Sequence, residues 1–196
     1  MMVVPFDATE FRRALGYLPT GVTVITTTGR FGQPVGMACN SFVSVSLQPP
    51  LVMFCAGNGS ATLIDLRESG VFCVNILGAD QGQLCRRFSV KDVDRFAGVP
   101  WTGSEAGPEL RDAIAWMSCA IVAEHAAGDH VIVIAEVTGL RVNEDASAPL
   151  VFHRGGFGSF RAAAEPVVAA TAALPRQGSG GVRVLSTATR TASWRP

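Results

Sequence analysis

The chain has 196 residues, 48% of them apolar and 16% charged, which suits one domain, or one domain with a tail, and excludes a chain disordered throughout. Lys+Arg and Asp+Glu both number 16, so there is no overall basic field to gather nucleic acid or anionic lipid. No apolar run approaches the roughly 18 residues of a membrane span. The start, Met1-Met-Val-Val-Pro-Phe-Asp7, lacks the charged and long apolar stretches of a secretory signal, so a cytoplasmic protein is expected.

Charge is unevenly placed. Residues 1–160 carry a net of −4, and residues 161–196, with five Arg and one Glu, a net of +4. Lys91 is the one lysine. The five cysteines, Cys39, Cys55, Cys73, Cys85 and Cys119, are odd in number and form no C-x-x-C, which argues against a zinc site or a disulfide framework. Most sit in apolar runs, as buried inert thiols do in a reducing compartment.

Asp7-Ala-Thr-Glu10 has capping-box spacing and predicts a short amphipathic helix over about 7–17, stopped by Pro19-Thr20-Gly21. Val22–Thr28 is β-branched and reads as a strand, with a hairpin turn at Gly29–Gly32. Val35–Leu47 reads as a further strand run ended by Pro49-Pro50, and Leu51–Cys55 as a short buried strand. A helix is predicted from Asn58-Gly-Ser60 through Leu66, a strand over Val71–Leu77 and a short helix over Asp80–Phe88. Residues 89–111 read as a long loop. Strands follow at Met117–Glu124, His130–Leu140 and Leu150–His153. Six or seven strands without regular intervening helices predict an all-β-dominated fold with short helices, an antiparallel barrel or sandwich rather than a doubly wound sheet. One domain is expected over 1–161. Residues 162–196, rich in Ala, Thr, Gly, Ser and Arg, are expected to form a low-complexity tail, disordered or wrapped on a partner.

Familiar motifs are missing: there is no G-x-G-x-x-G after a strand, no P-loop, no H-E-x-x-H and no G-x-S-x-G. The spacing of His125, His130 and His153 matches no metal template. Chemistry, if any, is therefore expected to reside in a bound organic cofactor. Three segments carry a signal. In Pro34-Val35-Gly36-Met37-Ala38, the small residues Gly36 and Ala38 permit close approach of a flat ring, and Asn40 and Ser41 offer donors; an ordinary hairpin reads equally well. In Cys55-Ala56-Gly57-Asn-Gly-Ser60-Ala61-Thr62, first-turn amides and hydroxyls form a phosphate cradle, with Arg86 and Arg87 as countercharge; simple N-capping by Ser60 is the other reading. Gly128-Asp-His130 and Phe152-His153-Arg154-Gly155 suit a planar anionic ligand, or are a turn and a charged strand end.

Taken in order along residues 6–160, these segments resemble the flavin reductase-like family, the reductase components of two-component flavin-dependent monooxygenases. The resemblance rests on Pro19-Thr-Gly-Val-Thr-Val-Ile-Thr26, Gly36-Met-Ala-Cys-Asn-Ser-Phe42, Ser44–Val52, Ser69–Leu77, Asp94-Arg-Phe-Ala-Gly98, Gly128-Asp-His130 and Leu150–Gly155. It implies a six-stranded Greek-key split β-barrel of the FMN-binding type, a homodimer with flavin at the subunit interface, and a separate oxygenase that receives reduced flavin. It further implies that Pro34, Val35, Gly36, Met37, Ala38, Asn40 and Ser41 contact the flavin. Cys55, Ala56, Gly57, Ala61 and Thr62 would hold its ribityl-phosphate side, with help from Arg87 and Phe88. His130 would position the nicotinamide of NADH or NADPH, alongside Phe152, His153, Arg154 and Gly155. The expected reaction is hydride transfer from nicotinamide to FMN or FAD. The alternatives are a flavoenzyme reducing a corrinoid or iron, and a non-catalytic flavin-binding module.

Overall fold

The computed structural model describes residues 5–146 and 148–162; the tail expected from 162 onward lies, from residue 163, outside the described residues. Helix α1 (Ala8–Leu15) starts as its capping box predicts: Asp7 Oδ1 accepts from the amides of Thr9 and Glu10, both at 2.8 Å, and Glu10 Oε2 accepts from the Asp7 amide at 3.2 Å. None of its residues is buried, and Phe11 and Leu15 stay exposed. Strands β1 (Thr20–Gly21), β2 (Thr23–Thr28) and β3 (Pro34–Cys39) follow, then β4 (Val43–Leu47) and β5 (Pro50–Gly57). Next come α2 (Ala61–Ser69), β6 (Val71–Ile76) and α3 (Gly82–Ser89). Two short strands, β7 (Trp101–Thr102) and β8 (Glu109–Leu110), precede the long pair β9 (Ala115–Ala127) and β10 (His130–Val142), and β11 (Leu150–His153) and β12 (Gly156–Ser159) close the described chain. The domain is mostly β with three short helices, and no helix among the described residues is long and apolar enough to cross a membrane.

The main sheet has seven antiparallel strands in the order β3-β2-β6-β9-β10-β5-β4. The run expected as one stretch over 35–47 is thus two strands, broken at residues 40–42 and placed at opposite edges. A flat seven-stranded sheet would hold those edges about 29 Å apart, at ~4.8 Å per strand. The four Cα steps from Cys39 to Val43 reach about 15 Å at most. The sheet therefore curls until its two edge strands lie within one short link. That link forms a wall of the site described below.

Alternation along β2 feeds two cores. Ile25 packs inward with Phe54, Phe72, Val133 and the α2 residues Leu63 and Leu66, all buried. Val24, with Val22, packs on the other face with Leu77, Phe96, Leu110 and the α3 residues Cys85 and Phe88. Phe54 meets Phe72 edge-on at 5.4 Å, and Phe88 meets Phe96 at 5.0 Å.

The long loop expected over 89–111 has internal order. Fully buried Asn75 on β6 receives the Leu110 amide on Oδ1 at 2.7 Å, and its Nδ2 donates to Val24 O at 3.1 Å and Thr26 Oγ1 at 3.0 Å. Gln81 accepts from the Gly78 amide at 2.9 Å and donates to Arg111 O at 3.1 Å. Gly107 has φ 122°, and a Cβ there would lie 2.7 Å from Thr27 Cα, so only glycine lets the loop touch β2. Sequence alone had no reason to predict β7, β8 or the glycine-rich β12.

Candidate functional site

Four stretches that are distant in sequence surround a cleft of about 580 Å³: the β3–β4 link, the end of β5 with the start of α2, residues 91–95, and the β9–β10 turn. Ser41 stitches the first to the second. Its Oγ accepts from the Cys55 amide at 2.9 Å and lies 3.3 Å from Cys39 Sγ. Asn58 joins the second to the fourth, donating from Nδ2 to Gly128 O at 3.2 Å and from its amide to Asp129 O at 3.0 Å. The two-residue β9–β10 turn requires φ > 0 at its first position, which Gly128 supplies at 66°.

Helix α2 opens on the cleft without a side-chain cap. Ser60 stands at the N-cap position, but its hydroxyl points to Met37 Sδ at 3.5 Å and bonds no first-turn amide. The amides at Ala61 and Thr62 therefore have no side-chain acceptor among the described residues, and the helix dipole favours negative charge there. Simple capping by Ser60 is not what is found. Lys91, Asp92, Arg95 and His130 also line the cleft, and Arg95 Nη1 stands 3.4 Å from Thr62 Oγ1 in the first turn of α2. His130 Nδ1 lies 2.7 Å from Asp129 Oδ1, and that contact holds the exposed Asp129 carboxyl below its ordinary value. Nε2 of His130 lies 4.0 Å from where a Gly57 side chain would begin, an ordinary contact distance.

A second, apolar pocket of about 220 Å³ shares Ala38, Cys39 and Asn40 with the cleft and is closed by Val22, Phe152 and Phe157. The two phenyl rings lie 5.7 Å apart and tilted. A polar, cation-bearing cleft running into an aromatic pocket suits a phosphorylated small molecule with a flat ring.

Of the residues picked from sequence, Met37, Ala38, Asn40, Ser41, Cys55, Ala56, Gly57, Ala61, Thr62 and His130 line the cleft together, and Phe152 lines the adjoining pocket. Others stand elsewhere. Pro34 and Val35 pair with Thr28 and Thr27 at the far end of β3. Gly36 is small because of the protein itself: a Cβ there would meet Ile25 O at 2.9 Å and Phe88 Cε1 at 3.1 Å. Phe88 is buried core. Arg87 lines a separate groove of about 620 Å³ behind α3, with Arg86 and Arg111, and donates to Asp94 O at 3.2 Å. Arg86 stacks on Phe157 at 5.0 Å. His153, Arg154 and Gly155 form the β11–β12 turn, where Arg154 (φ 50°) and Gly155 (φ 80°) are the two central residues and the Arg154 guanidinium stacks on Tyr17 at 4.6 Å.

Sequence reading named the Ser60 hydroxyl in the phosphate cradle but passed over Lys91, Arg95 and Asp129 as cleft residues. Two of these were visible: Lys91 is the chain's one lysine, and Arg95 sits inside the quoted Asp94–Gly98 segment. The thiols offer no nucleophile in the core. Burial pushes Cys73 and Cys119 up to about 12 and raises Cys39 and Cys85 as well.

Comparison with known proteins agrees with the geometry. The flavin reductase like domain family matches residues 15–161. The chain is 42% identical over 153 residues to the flavin-dependent monooxygenase reductase subunit HsaB of Rhodococcus jostii (strain RHA1), covering 77% of each. It is 43% identical over 157 residues to a flavin reductase of Pseudomonas putida, covering 80% of this chain and 92% of that one. Among solved structures, the Streptomyces globisporus C-1027 NADH:FAD oxidoreductase SgcE6, in complex with NAD and FAD fragments, superposes with a TM-score of 0.75 at 38% identity, covering 82% of this chain and 97% of that one. This chain belongs to the flavin reductase-like family.

Proposed function

We propose that the protein is an NAD(P)H:flavin oxidoreductase that supplies reduced FMN or FAD to a separate monooxygenase component. The observation that carries this reading is the uncapped start of α2, lining one cleft with Lys91 and Arg95, beside an aromatic pocket that shares Ala38, Cys39 and Asn40 with it. An anionic phosphate fits the first end and a flat ring the second. The named relatives are flavin reductases and monooxygenase reductase subunits.

When bound, the flavin supplies a two-electron acceptor that takes a hydride from nicotinamide C4. The chain's own residues orient and shield. The Ala61 and Thr62 amides meet the phosphate. Ala38, Cys39 and Asn40 lie at the junction of the two cavities, where Ala38 presents no more than a methyl group to an approaching ring. His130, oriented by Asp129, positions the nicotinamide. Phe152 and Phe157 keep water from the ring pocket. No side chain forms a covalent bond, so catalysis rests on holding two rings in near-attack contact.

The curled sheet supports a Greek-key split barrel over 1–161. The unburied apolar face of α1, together with Val43, Val45 and Leu47 exposed on edge strand β4, supports a homodimer, which light scattering on the purified chain would detect. The decisive assay is anaerobic NADH and NADPH oxidation with and without FMN or FAD. A flavin-dependent rate is expected; its absence with both nucleotides and both flavins overturns the proposal.

A further inference from the structure

Arg95 joins three pieces of chain. Its Nη1 donates to Gly36 O on β3 at 2.6 Å and reaches Thr62 Oγ1 in the first turn of α2 at 3.4 Å. Its Nε donates to Val90 O at 2.8 Å. These contacts use two of the three nitrogens of a planar five-donor fork. The remaining nitrogen, Nη2, has no partner among the described residues, although the side chain is only half exposed and lines the cleft.

Nearby carboxylates do not neutralise it. Asp94 turns its Oδ1 to the amides of Phe96 and Ala97, at 3.0 and 3.1 Å. Asp129 is engaged by His130, and Asp92 lines the cleft without reaching ion-pair distance of Arg95. A half-buried guanidinium without a carboxylate is costly unless an anion completes it. With Nε and Nη1 already held, much of the entropy that a free arginine would lose on binding is already lost.

We infer that Arg95 is the residue that recognises the flavin phosphate, with Nε and Nη1 of its guanidinium bracing residues 90–96 against β3 and α2 and Nη2 meeting a phosphate oxygen. This rests on the cleft being a flavin site. It assigns the phosphate countercharge to Arg95 rather than to Arg87, whose groove shares no lining residue with the cleft.

The test compares FMN with riboflavin, which has the same ring and no phosphate. Binding of each is titrated by quenching of flavin fluorescence in the wild type, Arg95→Ala, Arg95→Lys and Arg87→Ala, with KM and kcat measured in parallel. The wild type should prefer FMN to riboflavin. Arg95→Ala should lose roughly 10- to 100-fold in FMN affinity, as expected for a lost charge-assisted contact, with riboflavin affinity and NADH KM little changed. Arg95→Lys should recover part of the FMN preference, since charge returns without the fork.

Equal weakening of FMN and riboflavin in Arg95→Ala overturns the inference and leaves Arg95 a purely structural brace. Loss of the FMN preference in Arg87→Ala instead of Arg95→Ala also overturns it. If Arg95→Ala does not fold, Arg95→Lys decides: an unchanged FMN preference over riboflavin overturns the inference. A wild type that binds neither flavin defeats the proposed function itself, which separates the two failures.

Discussion

The two halves of segment 90–112 are held in opposite ways. Residues 99–112 are fastened to β2 and β6 by buried, uncharged hydrogen bonds through Asn75 and Thr26 and by the close approach of Gly107, and to the start of α3 by Gln81. Residues 90–97 hang on an exposed rim, through Arg95, the Asp94 turn and the single inserted ring of Phe96. The first half belongs to the fold, because orphaning its polar groups would cost stability outright. The second belongs to the cleft, because its polar groups face a place where a ligand can complete them.

The sharpest way to break this comparison is Gly107→Ala. Its φ and the 2.7 Å approach to Thr27 Cα leave no room for a Cβ. A loss of about 3 kcal/mol is expected in denaturant melts. Asn75→Leu should cost a similar amount, about 3 kcal/mol, by stranding the Leu110 amide in the core. If either variant kept wild-type stability, the 99–112 half would not be part of the cooperative fold.

On the cleft side, His130→Ala should raise the KM for NADH about tenfold while leaving the flavin KM nearly unchanged, measured in the same steady-state assay. An equal rise in both would merge the two ends of the cleft into one site. Arg67→Ala, which removes the exposed pair with Glu124 at 2.7 Å, should leave the thermal midpoint nearly unchanged, and lies away from both halves.

The pH dependence sharpens the division between core and rim. In the folded chain Cys73 and Cys119 stay protonated up to about 12, whereas unfolded they would ionise near the ordinary 9.0. The folded state thus holds more protons between those values. Their contribution to stability is fully present below about pH 9 and falls as pH rises toward 12. Melting temperatures across that range should decline, and Cys73→Ala should flatten the slope.

Much of the fold was legible because local signals agreed with burial. The Asp7 capping box, the β-branched run of β2 and the stop at Pro49-Pro50 each rest on neighbours a few residues away. The break at residues 40–42 was not legible, because nothing local to Asn40-Ser41-Phe42 says that the sheet curls and sends the chain to its opposite edge. Gly36 shows the same limit. Its small size reads equally well as room for a ligand or for the protein, and Ile25 O and Phe88 decide for the protein.

Residue types, their order and their spacing by themselves determined the β-rich class, the short helices, the segments of the cleft and the family resemblance, since each depends on patterns written within a few residues. Only the tertiary structure decided which cation faces the cleft. Arg87 and Arg95 are eight positions apart and chemically identical, and no periodicity separates them. Packing of Phe88 and Phe96 into one core turns the first outward behind α3 and the second inward over Gly36 and Thr62.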